Sequence, residues 1–160
     1  MECDLISAGP SAKFYVEREL NISPIRVGVN SAGLLFNLDY LVILDKPFYE
    51  LHRANFKGNP TIVTCGTLSR HLDRLGEPYF YTKYGDIPIK WKQIEFSYLA
   101  ALYFCKVELA ATKINIFGND RTGINDCSGQ QSQKGRSINR WQKECEMQIL
   151  LENYITMDKK

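Results

Sequence analysis

The chain has no apolar run near the ~20 residues that span a bilayer, and no C-x-x-C pair among its five cysteines. Cys3, Cys65, Cys105, Cys127 and Cys145 are odd in number and far apart. A zinc site needs close paired ligands, so reduced thiols filling a core are the expectation and no metal site is assigned. Neither an H-E-x-x-H nor an EF-hand loop occurs, and no Ser–His–Asp order stands on a nucleophile elbow. The full G-x-G-x-x-G and the G-K-[ST] of phosphate loops are also missing. An excess of one charge is lacking too: 20 Lys and Arg against 18 Asp and Glu leave a formal +2. No electrostatic footprint for nucleic acid follows from that balance. Histidine is scarce. His52 beside Arg53 and His71 beside Arg70 read as surface or boundary residues rather than bases. The start, Met1-Glu2-Cys3-Asp4, has no basic head of a signal peptide, so a cytoplasmic location without membrane attachment is expected.

What is present is ordinary globular material. The 160 residues are 44% hydrophobic and 24% charged, which suits one domain (residues 1–160) with a core that needs no staples. Leu5 to Ala8 is a short apolar run stopped by Gly9-Pro10-Ser11. Ser11 is placed to cap a helix over 12–20. Residues 25–30 are β-branched and bounded by Pro24 and Gly33, a second strand. Tyr40 to Leu44 is nearly unbroken in apolarity, as in a parallel strand covered on both faces. Pro47 fits the first turn of a helix to about Phe56. Thr61 to Cys65 is a fourth strand, and Leu68, Leu72 and Leu75 have helical spacing. Residues 78–90 read as a loop or edge hairpin. Phe96 to Ala111 is helical and apolar nearly all round, so it lies buried against a sheet. Lys113 to Phe117 is a further strand. The long polar segment 121–137 reads as a loop, and loops of that length in compact domains are usually functional or disordered. Ile138, Trp141, Cys145 and Ile149 share one face of a last helix, and 157–160 form a frayed tail.

Strands alternating with helices predict an α/β, Rossmann-like three-layer domain with a mostly parallel sheet of about five or six strands. Ligands of such sheets bind outside the carboxyl ends of the strands. The candidates are therefore Gly9, Pro10 and Ser11; Asn30 and Ser31; Asp45; Thr64, Gly66 and Thr67; and Gly118, Asn119 and Asp120. Small residues admit a ligand to the backbone, and free N–H groups at a helix start suit phosphate. Each also has a plain structural reading. The Gly9-Pro10-Ser11 stretch is equally a turn and cap. Asn30 is able to hold a turn through its side chain, Asp45 to cap the helix at Pro47, and Asp120 to close its loop by a hydrogen bond.

These residues resemble a family. Ser7-Ala8-Gly9-Pro10-Ser11 is similar to the G-P-S turn that opens bacterial sialyltransferase-like domains and the related archaeal hydroxymethylpterin pyrophosphokinase-like proteins. Val29-Asn30-Ser31 resembles their second-strand asparagine motif, and the 39–45 segment, Asp39 through Asp45, their D-Y-hydrophobic-D strand. Ser97 before an Ala-rich helix, then the strand ending Gly118-Asn119-Asp120, continues the likeness in order. Thr122-Gly123, Arg136-Ser137, Arg140-Trp141 and Glu144 resemble a run in small phage-encoded members. The likeness covers roughly residues 4 to 150. It implies a nucleotide or nucleotide-sugar ligand, with Gly9, Ser11 and Asn30 touching the donor. The sialyltransferase lid carries a histidine base and phosphate-binding tyrosines; the 121–137 segment here has neither.

Three activities remain open. In a glycosyltransferase, Ser11 and backbone N–H groups hold phosphate, Asp45 or Asp120 acts as base, and Arg121 and Arg136 close over the phosphate. A pyrophosphokinase or nucleotide hydrolase puts Mg²⁺ on Asp45 and Asp120. A non-catalytic module binds a nucleotide or assembles with a partner, with Tyr79, Phe80, Tyr81 and Tyr84 as a homo-oligomer contact or as a ribbon packed on the core.

Overall fold

A computed structural model of the chain describes residues 1–15, 24–87, 96–120, 127–128 and 138–158. It contains a six-stranded, all-parallel sheet between two layers of helices, the expected α/β Rossmann-like fold. The strands are β1 (Glu2–Ile6), β2 (Ile25–Val29), β3 (Tyr40–Val42), β4 (Thr61–Thr64), β5 (Phe80–Tyr81) and β6 (Lys113–Phe117). Their order is β5-β4-β3-β2-β1-β6. The chain thus steps outward from β1 to β5, then returns to lay β6 on the other side of β1. The order reverses between β1 and β6, the topological switch point.

Alternation along each strand sends side chains to two cores. Cys3, Leu5, Val27, Val29, Val42 and Val63 face α4 (Ser97–Tyr103) and α5 (Ile138–Asp158). Ile6, Leu41 and Ile43 face α1 (Ala32–Leu35), α2 (Lys46–His52) and α3 (Gly66–Leu75). The uninterrupted apolarity of Tyr40 to Leu44 follows, since both faces of β3 are covered. Helix α4 is buried from Tyr98 to Tyr103 and runs into one π-helical turn over Phe104–Glu108. Leu68 and Leu72 are buried, while Leu75 is exposed beside the left-handed cap Gly76. Four cysteines are buried free thiols and Cys145 is exposed.

Several expectations are corrected. The helix over 12–20 is only a 3-10 turn, Pro10–Phe14, within the described residues; residues 16–23 lie outside them. Ser11 does not cap it, because Gly9 occupies that position. The 78–90 segment, read as a loop or edge hairpin, holds a two-residue parallel edge strand followed by a 3-10 turn at Lys83–Asp86; residues 88–90 lie outside the described ones. The aromatic stretch divides there: Tyr84 is fully buried, and the Phe80 ring meets Phe104 edge-on at 5.3 Å while the residue stays 40% exposed. The last helix turns a different face inward. Glu144, Met147, Leu151 and Ile155 are buried, and Cys145 and Ile149 are exposed. It also continues through Met157 and Asp158, where a frayed tail was expected. His52 is buried rather than superficial, its ring 4.6 Å from that of Phe48. His71 meets Glu50 at 3.3 Å, joining α3 to α2. Among the described residues no helix is long and apolar enough to cross a membrane.

Candidate functional site at the strand ends

The loops after β1 and β6 meet at the switch point and hold each other. Ser7 N donates to Phe117 O at 2.7 Å and Gly9 N to Gly118 O at 2.8 Å. A Cβ on Gly9 would overlap Gly118 O and stand 2.7 Å from the Asp120 carboxylate. Gly118 has φ +72, and a Cβ there would come within 2.5 Å of Ala12 Cβ. Both glycines are therefore demanded by the approach of one loop to the other. Asp120 completes the joint. One carboxylate oxygen accepts from Ser11 N at 2.8 Å and the other from Ser11 Oγ at 2.5 Å. Gly9, Ser11, Gly118 and Asp120 are thus brought together, with Pro10 opening the 3-10 turn. The N–H groups expected to greet phosphate at this turn already have acceptors within the chain.

The joint rests on a buried polar cluster that the sequence reading missed. Asp4, wholly buried on β1, accepts from Tyr15 Oη at 2.5 Å and from Asn115 Nδ2 at 3.0 Å. Asn115 also reaches Glu2 Oε1 at 2.7 Å. Burial, and next the Asp4 carboxylate, push the Tyr15 phenol above its ordinary range. Tyr15 so ties the end of the 3-10 turn back to β1, and its ring packs between Phe36 and Phe117. The signal available was polar residues at matching places in two strands: Asp4 and Asn115 stand side by side in the β1–β6 register.

The end of β2 is built differently. Asn30 has φ +47, in the left-handed region that asparagine tolerates better than most residues. Its N–H donates to Val42 O at 3.2 Å and its carbonyl accepts from Gly33 N at 3.1 Å. Its side chain does not hold the turn: Oδ1 is buried and has no hydrogen-bond partner among the described residues. Ser31, 1% exposed, places Oγ 3.5 Å from Cys127 Sγ. Cys127 N donates to Ala8 O at 2.8 Å, which carries this point of the 121–137 segment over the ends of β1 and β2. Cys127 is a further residue of the site that sequence reading did not single out.

The other candidates are separate. Asp45 caps α2, accepting from Phe48 N at 3.3 Å. Leu44 N donates to Ser97 Oγ at 3.4 Å, fixing the start of α4 at the end of β3. After β4, Thr64 is buried, Gly66 has φ +67 and opens α3, and Thr67 is exposed with Arg70 3.4 Å away. Asn119 is half-buried between Gly118 and Asp120. Arg121 and Arg136 lie outside the described residues. Among the described residues no three His, Cys, Asp or Glu side chains converge to hold a metal. Asp45 and Asp120 are each engaged with their own donors and belong to no such cluster among the described residues.

The strand order, the closed joint and the Asn30 turn define a Rossmann-like α/β domain with its polar strand-end residues around the switch point. Compared with known proteins, the chain matches no family model, no curated protein and no solved structure.

Proposed function

We propose that this domain binds a nucleotide or nucleotide-sugar across the carboxyl ends of β1 and β2, with Asn30 as the principal contact. The observation that carries this reading is Asn30 itself. A left-handed non-glycine residue and a buried acceptor without a partner among the described residues both cost stability. They coincide at the strand end where α/β sheets bind ligands. A donor on the ligand, an amine of the base or a sugar hydroxyl, satisfies that acceptor. The resemblance of the Val29-Asn30-Ser31 and Gly9-Pro10-Ser11 segments to the sialyltransferase-like family, including small phage-encoded members, supports the ligand class and a cytoplasmic setting.

A second reading, binding without turnover, is favoured by the two candidate bases. Asp45 is spent on a helix cap and Asp120 on Ser11. A glycosyl-transfer base must instead be free to take the acceptor's proton.

The test is calorimetric titration with cytidine and uridine nucleotides and their sugars, with and without Mg²⁺, followed by chromatography for released nucleotide. Binding with release supports transfer chemistry, and Asp120→Asn and Asp45→Asn then identify the base. Binding with no release in any mixture of acceptors supports the binding module. No heat with any nucleotide at millimolar concentration contradicts both.

A further inference from the structure

Strand β6 is an edge, and among the described residues no strand covers its outer side. Phe117 O accepts from Ser7 N, so residues 113, 115 and 117 turn their backbone groups toward β1. In a parallel ladder the intervening residues face the other way. Ile114 and Ile116 therefore direct their N–H and C=O groups outward, and among the described residues no strand pairs with them. Proteins usually blunt such an edge with a central charge, a proline or a bulge. The middle of β6 is Ile-Asn-Ile with none of these. Its isoleucines open onto a groove of about 560 Å³ floored by Leu102, Ile114, Ile116 and Ile155 and rimmed by Lys106 and Glu152. The rim pair stands at 3.6 Å.

We infer that β6 is the contact strand of a two-fold dimer, pairing antiparallel with β6 of a second copy about an axis through Asn115. The pattern is self-complementary, as an isologous contact requires. With Asn115 on the axis, Ile114 of each copy meets Ile116 of the other as a hydrogen-bonded pair, and the four isoleucines gather on the groove side of the joined sheets. Charge selects the antiparallel sense. Antiparallel pairing sets the Lys113 of each copy at opposite ends of the seam, where parallel pairing would put the two like charges side by side. A five-residue strand alone buries less than the ~800 Å² per partner of a stable interface. Helix α5 supplies the rest. It spans 21 residues, flanks the groove through Glu152, Ile155 and Thr156, and leaves Ile149 61% exposed one turn away. The opposite edge, β5, has only two residues and the Phe80–Phe104 contact over it.

The experiment is sedimentation equilibrium of the full chain across a dilution series, read with amide hydrogen exchange. The expected mass is twice the 18.4 kDa of one chain, with Ile114 and Ile116 amides protected in the dimer and fast on dilution. Ile116→Lys, at a position 44% exposed, yields single-chain mass. Ile116→Pro does the same, since it removes only an outward N–H. Leu75→Lys, 48% exposed on the far side of the sheet, leaves the dimer intact. If an Ile116 variant fails the circular-dichroism check of folding, Ile149→Glu decides by the same mass. A single-chain mass for the wild type at millimolar concentration overturns the inference. So does a dimer that survives the folded variants, or one in which the Ile114 and Ile116 amides exchange freely.

Discussion

Two neighbouring regions at the carboxyl edge of the sheet, the joined ends of β1 and β6 and the end of β2, are finished in opposite ways. At β1 and β6 the Ser7 and Gly9 N–H groups and both Ser11 donors have acceptors within the chain, and two glycines let the loops close. At β2 a strained asparagine keeps a buried oxygen with no partner among the described residues. The first is what selection for stability produces. The second costs stability, and such costs persist at places that bind something. The comparison separates a closed scaffold from the residue proposed as the ligand contact.

The largest effect expected comes from breaking the scaffold side. Gly118→Ala combines a left-handed backbone with a clash against Ala12 and is expected to cost about 3 kcal/mol or more, read from urea unfolding. Gly9→Ala has a backbone clash without the φ penalty and should cost a similar amount. Tyr15→Phe leaves the buried Asp4 carboxylate short of a donor, for a loss of about 2 kcal/mol. It also changes the alkaline limb. The Tyr15 phenol is raised in the fold, so its contribution is complete below the ordinary tyrosine value and is lost as pH rises through the folded one. Wild-type stability should fall above pH ~10, and the fall should be shallower in Tyr15→Phe. Asp45→Ala, which removes a helix cap outside the joint, should cost about 1 kcal/mol.

The sheet was legible because both its faces are apolar, and β6 was read with its full bounds, Lys113–Phe117. Helix boundaries near the site were less so. Within the described residues the helix expected from Ala12 is a 3-10 turn that ends where Tyr15 turns extended, and Ser11 gives its side chain to Asp120, 109 residues away, and not to a local cap. The last helix was rotated in prospect because a Trp–Cys–Ile stripe looked apolar, while the core accepts Met147, Leu151 and Ile155. At the site, the positions of Gly9, Ser11, Asn30 and Asp120 at strand ends were readable from turn chemistry. Which of them were already satisfied was not, since Asp4, Tyr15, Asn115 and Cys127 act through contacts between distant segments.

The most direct measurement is the stability and ligand response of Asn30→Gly against wild type, by thermal unfolding with nucleotides and nucleotide-sugars. Glycine accepts the left-handed turn and removes the orphaned oxygen. The variant should therefore be more stable alone, by about 1 kcal/mol, and should lose the ligand-induced rise seen in wild type. A ligand at ~100 times its dissociation constant adds about 2.7 kcal/mol, so that loss is readable. A variant that is less stable, or that is stabilised by the same ligand as fully as wild type, contradicts the assignment of Asn30 as the contact.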